Sequence, residues 1–210
     1  MIKVLIIGKK SFIGRNLKKN LNLNNSSISY KDFLKKKESF IKKFNFIVNC
    51  SSNLPFIYKK YNKKFDYDCI IASKIKNINC KYIFLSTRKV YNPTINIFEN
   101  GYINPRCNYS KNKYKSEQKV LKILKNKVLI LRISNLIGYN NDTSKKKLHK
   151  TYIDYFIEFI KKGLIIKNKG IFKDFITINV FIKILRSLIK KNSNGIYNVS
   201  FGNKVYIDKI

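Results

Sequence analysis

Apolar and polar positions along this chain alternate between two periods. Val4 to Ile7 is an unbroken apolar run, the pattern of a strand buried on both faces. Gly8 to Gly14 then leads into a helix, with Ile13, Leu17 and Leu21 at a spacing of four. Phe46 to Cys50, the run beginning at Lys81, Val128 to Leu131 and Gly195 to Ser200 predict further strands. Helical spacing predicts helices over Tyr67 to Ile78, Tyr109 to Leu124, Tyr152 to Ile160 and Phe181 to Ile189. A short strand is expected at Ser27 to Tyr30, followed by an amphipathic segment from Lys31 through Ile41. Pro55 to Lys64 is basic and aromatic, and Tyr67 to Ile78 reads as a solvated helix without assigned chemistry. Strands and helices in alternation, with no repeat and no long linker, predict an α/β fold with a doubly wound parallel sheet.

Composition narrows the class. The 210 residues fit one domain, large enough to bury roughly 70% of the unfolded surface. With 44% hydrophobic residues and a mean hydropathy of -0.27, the chain is neither disordered nor membrane-spanning, since no apolar run approaches the length of a bilayer span. The apolar start is too short for a signal peptide, so a cytoplasmic location is expected. Cys50, Cys69, Cys80 and Cys107 form no close pair, and His149 is the lone histidine. No metal site is therefore expected, and the thiols read as reduced, with Cys50 and Cys80 as small core residues.

The net charge of +34 first suggests nucleic acid, because basic surface binds phosphate by releasing counterions. Its make-up argues otherwise. There are 40 lysines and only 5 arginines, spread in pairs and triplets among abundant Asn and Ile, which is the product of AT-rich codons. No nucleic-acid-binding module is visible, so nonspecific adhesion at low salt is expected and specific recognition is not.

A helical Tyr109 and Lys113 project from the same face, so an ammonium can sit beside a phenol. With 14 tyrosines among 40 lysines such a pair arises by chance, and its weight rests on what surrounds it. The turn Gly8-Lys-Lys-Ser-Phe-Ile-Gly14 follows a strand and opens a helix, the arrangement that presents backbone N–H groups to a pyrophosphate. Phe-Leu-Ser-Thr87-x-x-Val-Tyr91 ends a strand, and Tyr109-Ser-Lys-Asn-Lys113-x-x-x-Glu117 begins 22 residues after Thr87. Leu131-Arg-Ile-Ser-Asn135-Leu-Ile-Gly138 and Lys173-Asp-Phe-Ile-Thr-Ile-Asn-Val180 come next. Together these motifs, in this order over nearly the whole chain, resemble the extended short-chain dehydrogenase/reductase family, the NAD-dependent epimerases and dehydratases of nucleotide sugars.

That resemblance implies a Rossmann-type NAD(P)-binding domain over residues 1–210. Its substrate lobe would come mainly from 136–210, reduced at the C-terminus. Gly8, Ser11, Phe12, Ile13 and Gly14 would hold the dinucleotide, with Ser11 in the place of the family's middle glycine and its Cβ crowding the approach to the cofactor. Asp32 and Phe33 resemble the pair that contacts adenine, and Ser51 lies in the small-residue turn after the family's fourth strand. The segment before Asp32 is too short for the family's strand, helix and strand, so one element is missing. With it goes the acidic residue that would separate NAD from NADP. Thr87 would bond the reacting sugar oxygen, Tyr109 would transfer the proton, and Lys113 would lower the tyrosine's pKa and hold the nicotinamide ribose. Asn135 and Lys173 would meet the substrate, with Lys173 replacing an arginine on the diphosphate. Arg132 reads as structural.

Arg88-Lys89 stands where water-eliminating members carry Asp-Glu, which disfavours a dehydratase. The expected function is an NAD- or NADP-dependent epimerase or reductase of a nucleotide-activated sugar, with a homodimer as its possible assembly. The alternative is a weakened member that keeps the dinucleotide site as a binding or regulatory protein, and a nucleic-acid-binding protein ranks below both.

Overall fold

The computed structural model describes residues 1–138, 152–163 and 170–207. The chain builds a six-stranded parallel sheet in the spatial order β2 (Asn24–Ile28), β1 (Lys3–Ile7), β3 (Phe46–Asn49), β4 (Lys81–Thr87), β5 (Val128–Ile133) and β9 (Gly195–Val199). Its first strand, β1 (Lys3–Ile7), has four consecutive buried residues and feeds α1 (Phe12–Asn20) through the glycine turn. β2 (Asn24–Ile28) pairs with β1 at the sheet edge, and α2 (Tyr30–Lys35) and α3 (Glu38–Ile41) return the chain to the central β3 (Phe46–Asn49). The short α4 (Leu54–Tyr58), with Pro55 in its first turn, precedes α5 (Tyr67–Ile75). Next come β4 (Lys81–Thr87), the long α6 (Asn108–Leu124) and β5 (Val128–Ile133).

The remaining elements are short around two helices. They are β6 (Asn135–Ile137), α7 (Tyr152–Lys161), β7 (Phe172–Lys173), β8 (Phe175–Thr177), α8 (Ile178–Lys190), β9 (Gly195–Val199) and β10 (Val205–Tyr206). β6 pairs with β8 and β7 with β10, in two small sheets outside the main one.

Two cores lie on opposite faces of the sheet. Leu17 and Leu21 of α1 and Phe181, Leu185 and Ile189 of α8 pack on one face with Val4, Ile6, Ile83 and Leu131. On the other face Phe33, Ile41, Ile71, Ile75, Val120 and Leu124 meet Leu5, Ile7, Phe84 and Ile130. Helices on both faces of a parallel sheet make the doubly wound architecture expected from the sequence.

Several local readings change. The edge strand runs from Asn24 to Ile28 rather than from Ser27 to Tyr30, because Ser29 is the N-cap of α2 and accepts a bond from the Asp32 N–H. The amphipathic segment is two helices, broken where Lys36 and Lys37 take extended conformations. The helix beginning at Tyr67 is a core element and not a solvated one: Cys69, Ile71, Ala72 and Ile75 are buried, and so is Asp68. Tyr30 stacks on Tyr67 with ring centroids 3.6 Å apart, which ties α2 to α5. All four cysteines are free, with Cys69 and Cys80 buried and Cys50 half-buried. His149 lies outside the described residues, and among those described no group of acidic, His or Cys side chains could hold a metal ion.

Candidate active site

The strand order reverses between β1 and β3, and ligands of open α/β sheets bind beyond the carboxyl ends of the strands at such a point. Gly8 follows β1 there, in the left-handed region at φ +103°. A Cβ on Gly8 would lie 2.8 Å from the Ser51 backbone nitrogen, just beyond β3, so the two turns touch. Gly14 is held more tightly still: a Cβ there would come within 2.2 Å of the Gly8 carbonyl oxygen.

Ser11 strains nothing. Its φ of -72° and ψ of 157° suit any residue, and its hydroxyl caps α1 by accepting the Gly14 N–H at 3.0 Å. The substitution therefore exchanges one free amide for a cap and leaves the first-turn amides of Phe12 and Ile13, which have no intrahelical acceptor, to face an anion. Gly14→Ala should abolish calorimetric binding of NAD and NADP and lower the unfolding free energy by roughly 1–3 kcal/mol, the cost of overpacking a closed site.

Asp32 and Phe33 fare differently from the resemblance. Asp32 sits in the first turn of α2, where its carboxylate accepts the Ser29 hydroxyl at 2.6 Å and lies 4.0 Å from the Lys9 ammonium. That Ser29 bond, with smaller help from Lys9, holds its pKa below the ordinary carboxylate value. The Phe33 side chain is sealed in the core, and its N–H is spent on the Ser29 carbonyl. The Phe33 ring and amide are thus engaged within the fold, and of the pair only the Asp32 carboxylate stands at the surface.

Ser51 binds back on Asn49: its N–H and hydroxyl both donate to Asn49 Oδ1, at 2.9 and 2.5 Å. Asn49 Nδ2 donates in turn to Asp68 Oδ1 at 2.8 Å. Tyr82 from β4 donates to the same oxygen at 2.6 Å, and Lys113 Nζ reaches Asp68 Oδ2 at 3.0 Å. A buried polar chain therefore connects the turn beside Gly8 to the helix bearing Tyr109. Sequence reading missed Asp68 at its centre. The available signal was an Asp-Tyr-Asp triplet opening an apolar helix in a chain with only 11 acidic residues.

Tyr109 and Lys113 lie one turn apart on α6, which packs across β4 and the turn after Thr87. Lys113 is buried against the Phe84 ring, with its ammonium 4.5 Å from the centroid. Burial alone would lower its pKa, but Asp68 outweighs burial and holds it above the ordinary lysine value. Lys113 acts on the Tyr109 pKa in the expected direction but does not decide the outcome. Burial raises the tyrosine's pKa, Lys113 pulls it down, and Asp68 and Cys107 push it up, so it stays above the ordinary value in the protein alone.

A lysine pKa raised on folding contributes stability fully below the unfolded value of ~10.4, and this is lost only as pH climbs through the folded one. Asp68→Asn should therefore lower the urea midpoint by a constant amount between roughly pH 6 and 9, with the two proteins converging in stronger alkali.

Thr87 ends β4 beside Ile133 of β5, and its hydroxyl accepts the Lys89 N–H at 3.3 Å. Arg132 is structural, as expected. Its guanidinium clamps Glu117 at 2.7 Å and donates to the Tyr91 hydroxyl at 2.7 Å, and the Ser86 hydroxyl donates to the same Glu117. Asn135 uses one Nδ2 hydrogen on the Asp174 carbonyl at 2.8 Å, so it positions the strand bearing Phe175 and keeps its amide oxygen and second N–H for a ligand. Lys173 is half-buried in β7. Gly8, Gly14 and Ser51 thus meet beyond β1 and β3, Thr87 ends β4, Tyr109 and Lys113 lie on the α6 that packs against β4, and Asn135 and Lys173 belong to the small outer sheets.

Solved structures share this architecture. A dTDP-4-dehydrorhamnose reductase from Clostridium acetobutylicum superposes with a TM-score of 0.77 at 18% identity, covering 98% of this chain and 76% of the other. UDP-glucose 4-epimerase from Thermus thermophilus, in complex with NAD, gives 0.76 at 16% identity, with coverages of 99% and 80%. UDP-N-acetylglucosamine 4-epimerase from Methanobrevibacter ruminantium gives 0.73 at 22% identity, with coverages of 99% and 79%. No curated protein matches the sequence. Among the described residues no helix is long and apolar enough to cross a membrane. The glycine turn, with its close backbone approach at the start of a helix, fits the pyrophosphate of a dinucleotide such as the NAD of the Thermus thermophilus complex. Residues 4–200 match the sequence model of one family across this whole architecture, and the chain belongs to the NAD dependent epimerase/dehydratase family.

Proposed function

We propose that this protein is an NAD- or NADP-dependent epimerase or reductase acting on a nucleotide-activated sugar. The observation that carries the reading is the Tyr109–Lys113 pair on α6, with Lys113 held charged by buried Asp68 beside the carboxyl end of β4. When bound, the dinucleotide supplies acceptance and return of hydride. Gly8, Phe12, Ile13 and Gly14 hold its pyrophosphate, with Ser51 alongside. Thr87 bonds the sugar hydroxyl at the reacting carbon and orients it. Tyr109 takes the proton of that hydroxyl as the sugar is oxidised and returns it on reduction. Lys113 stabilises the phenolate, and its charge is kept through Asp68, which acts as a positioning residue. Lys173 meets the substrate diphosphate as a point charge rather than a bidentate fork, and Asn135 Oδ1 faces the sugar nucleotide.

The pair Arg88-Lys89 after Thr87 supplies no carboxylate for removing and delivering the protons of a dehydration, so oxidation and reduction at one carbon are favoured over loss of water. Calorimetry with NAD and NADP, followed by product analysis with UDP-, dTDP- and GDP-sugars, tests the reading. The expected result is saturable dinucleotide binding and an epimerised or reduced sugar. Dinucleotide binding with no conversion across the panel would reject the activity and leave a binding protein.

A further inference from the structure

A cavity of about 250 Å³ opens between α5 and α6, and none of its lining residues belongs to the candidate active site. Its floor and walls are apolar: the buried Cys69 of α5, the Ile123 side chain of α6 and the Tyr61 ring. Lys63, Lys119 and Lys122 line the same cavity, and Ser73 adds an exposed hydroxyl. The net charge of +34 is spread along the chain, but here three ammonium groups converge on one concavity with low-dielectric walls, which focuses their field.

Little within the fold answers that charge. No carboxylate lines the cavity, and among the described residues none forms an ion pair with Lys63, Lys119 or Lys122. Lys119 donates to the Tyr61 hydroxyl at 3.0 Å, which donates in turn to Asp66 at 2.9 Å. Asp66 is fully buried and already takes the Ser116 hydroxyl at 2.6 Å and the Cys69 N–H at 3.0 Å. Three lysines thus stand against one buried carboxylate, and a dianion balances them where a monoanion does not. Lys119 keeps two further N–H donors for it. Lysine binds phosphate as a compact point charge with rotatable donors, and the tetrahedral oxygens of a phosphoryl group can meet ammonium groups from several directions.

We propose that this cavity is a binding site for a small phosphate monoester, with the phosphoryl group held by Lys63, Lys119 and Lys122 and the organic part resting on Cys69, Ile123 and Tyr61. Its volume lies below the roughly 300–1,000 Å³ of ordinary ligand pockets, which limits the occupant to an ester of a few carbons. The site shares no residue with the dinucleotide and sugar positions, so it stands or falls separately from the proposed activity.

The test is calorimetric titration with glycerol phosphate, inorganic phosphate and acetate at about pH 8, where a phosphate monoester carries two charges. Salt at about 0.15 M screens adhesion to the rest of the basic surface. The expected result is one saturable site per chain that prefers glycerol phosphate, with acetate about 10-fold weaker than phosphate for want of the second charge. Lys119→Gln should weaken glycerol phosphate about 10-fold, the low end for a hydrogen bond to a charged group. Lys63→Gln and Lys122→Gln should each cost about two- to fivefold, as exposed charges do. Lys119→Arg, which keeps the charge, should retain most of the affinity. The pair Lys18→Gln and Lys19→Gln on the exposed side of α1 should change nothing, and neither should Gly14→Ala. Several weak sites, equal losses in the α1 pair, or acetate bound as tightly as phosphate would overturn the proposal. Binding that survives the Lys119 and Lys122 substitutions but is lost in Gly14→Ala would overturn it too, by assigning the phosphate to the dinucleotide turn.

Discussion

Tyr109→Phe should lower turnover of a nucleotide sugar by about 10²- to 10⁴-fold, the usual contribution of a positioned acid or base. Dinucleotide affinity should stay within about twofold, because the lost hydroxyl acts in the chemical step rather than in cofactor binding. The ring remains to fill the pocket, so the variant loses the proton carrier and little else. The pH profile gives a second reading. Burial and Asp68 hold the Tyr109 pKa above its ordinary value, against the pull of Lys113. The phenolate fraction therefore grows with pH throughout the neutral range, and the rate of substrate oxidation should grow with it. In Tyr109→Phe this rise should vanish. Stopped-flow measurement of nicotinamide reduction across pH checks both the size and the slope.

Arg132→Leu should destabilise the fold by about 3–5 kcal/mol, the cost of leaving a buried charge without its partner. Glu117 is fully buried, and Arg132 is 3% exposed. Besides clamping that carboxylate, the guanidinium holds Tyr91 and the Glu99 carbonyl, and Tyr91 donates to Asn198 of β9 at 2.8 Å. One cation thus links α6, β4, β5 and β9 behind the candidate active site. Replacing both partners, as Arg132→Leu with Glu117→Leu, removes the orphaned charge and should recover a large part of the loss. Urea denaturation of the two single variants and the double variant measures the coupling. Near-additive losses would show that the pair does not act as a unit.

The interior strands were legible because both of their faces are buried: Val4 to Ile7 and Val128 to Leu131 are apolar without interruption, and the structure gives each a neighbouring strand on both sides. The edge strand at Asn24 to Ile28 was not, since a half-exposed edge tolerates Asn-Asn-Ser-Ser and its pairing comes from β1 rather than from its own side chains. Tyr109, Lys113 and Thr87 entered as candidates by motif, while Asp68 was overlooked because it takes its place through three donors that meet it only in the folded sheet. Ser11 was legible as a departure from glycine but not as a helix cap, because the backbone there suits any residue and the hydroxyl accepts the Gly14 N–H. Phe33 sits next to a polar turn in sequence, yet the first turns of α2 rotate it into the core.

The measurement that bears most directly on the proposed chemistry follows nicotinamide absorbance after nucleotide sugars are added to the protein saturated with NAD or NADP. Reduction of the oxidised cofactor, or oxidation of the reduced one, coupled to a changed sugar and lost in Tyr109→Phe, is the predicted result. Saturated protein that leaves both cofactor and sugar unchanged with every UDP-, dTDP- and GDP-sugar tried, or activity that Tyr109→Phe leaves intact, would contradict it.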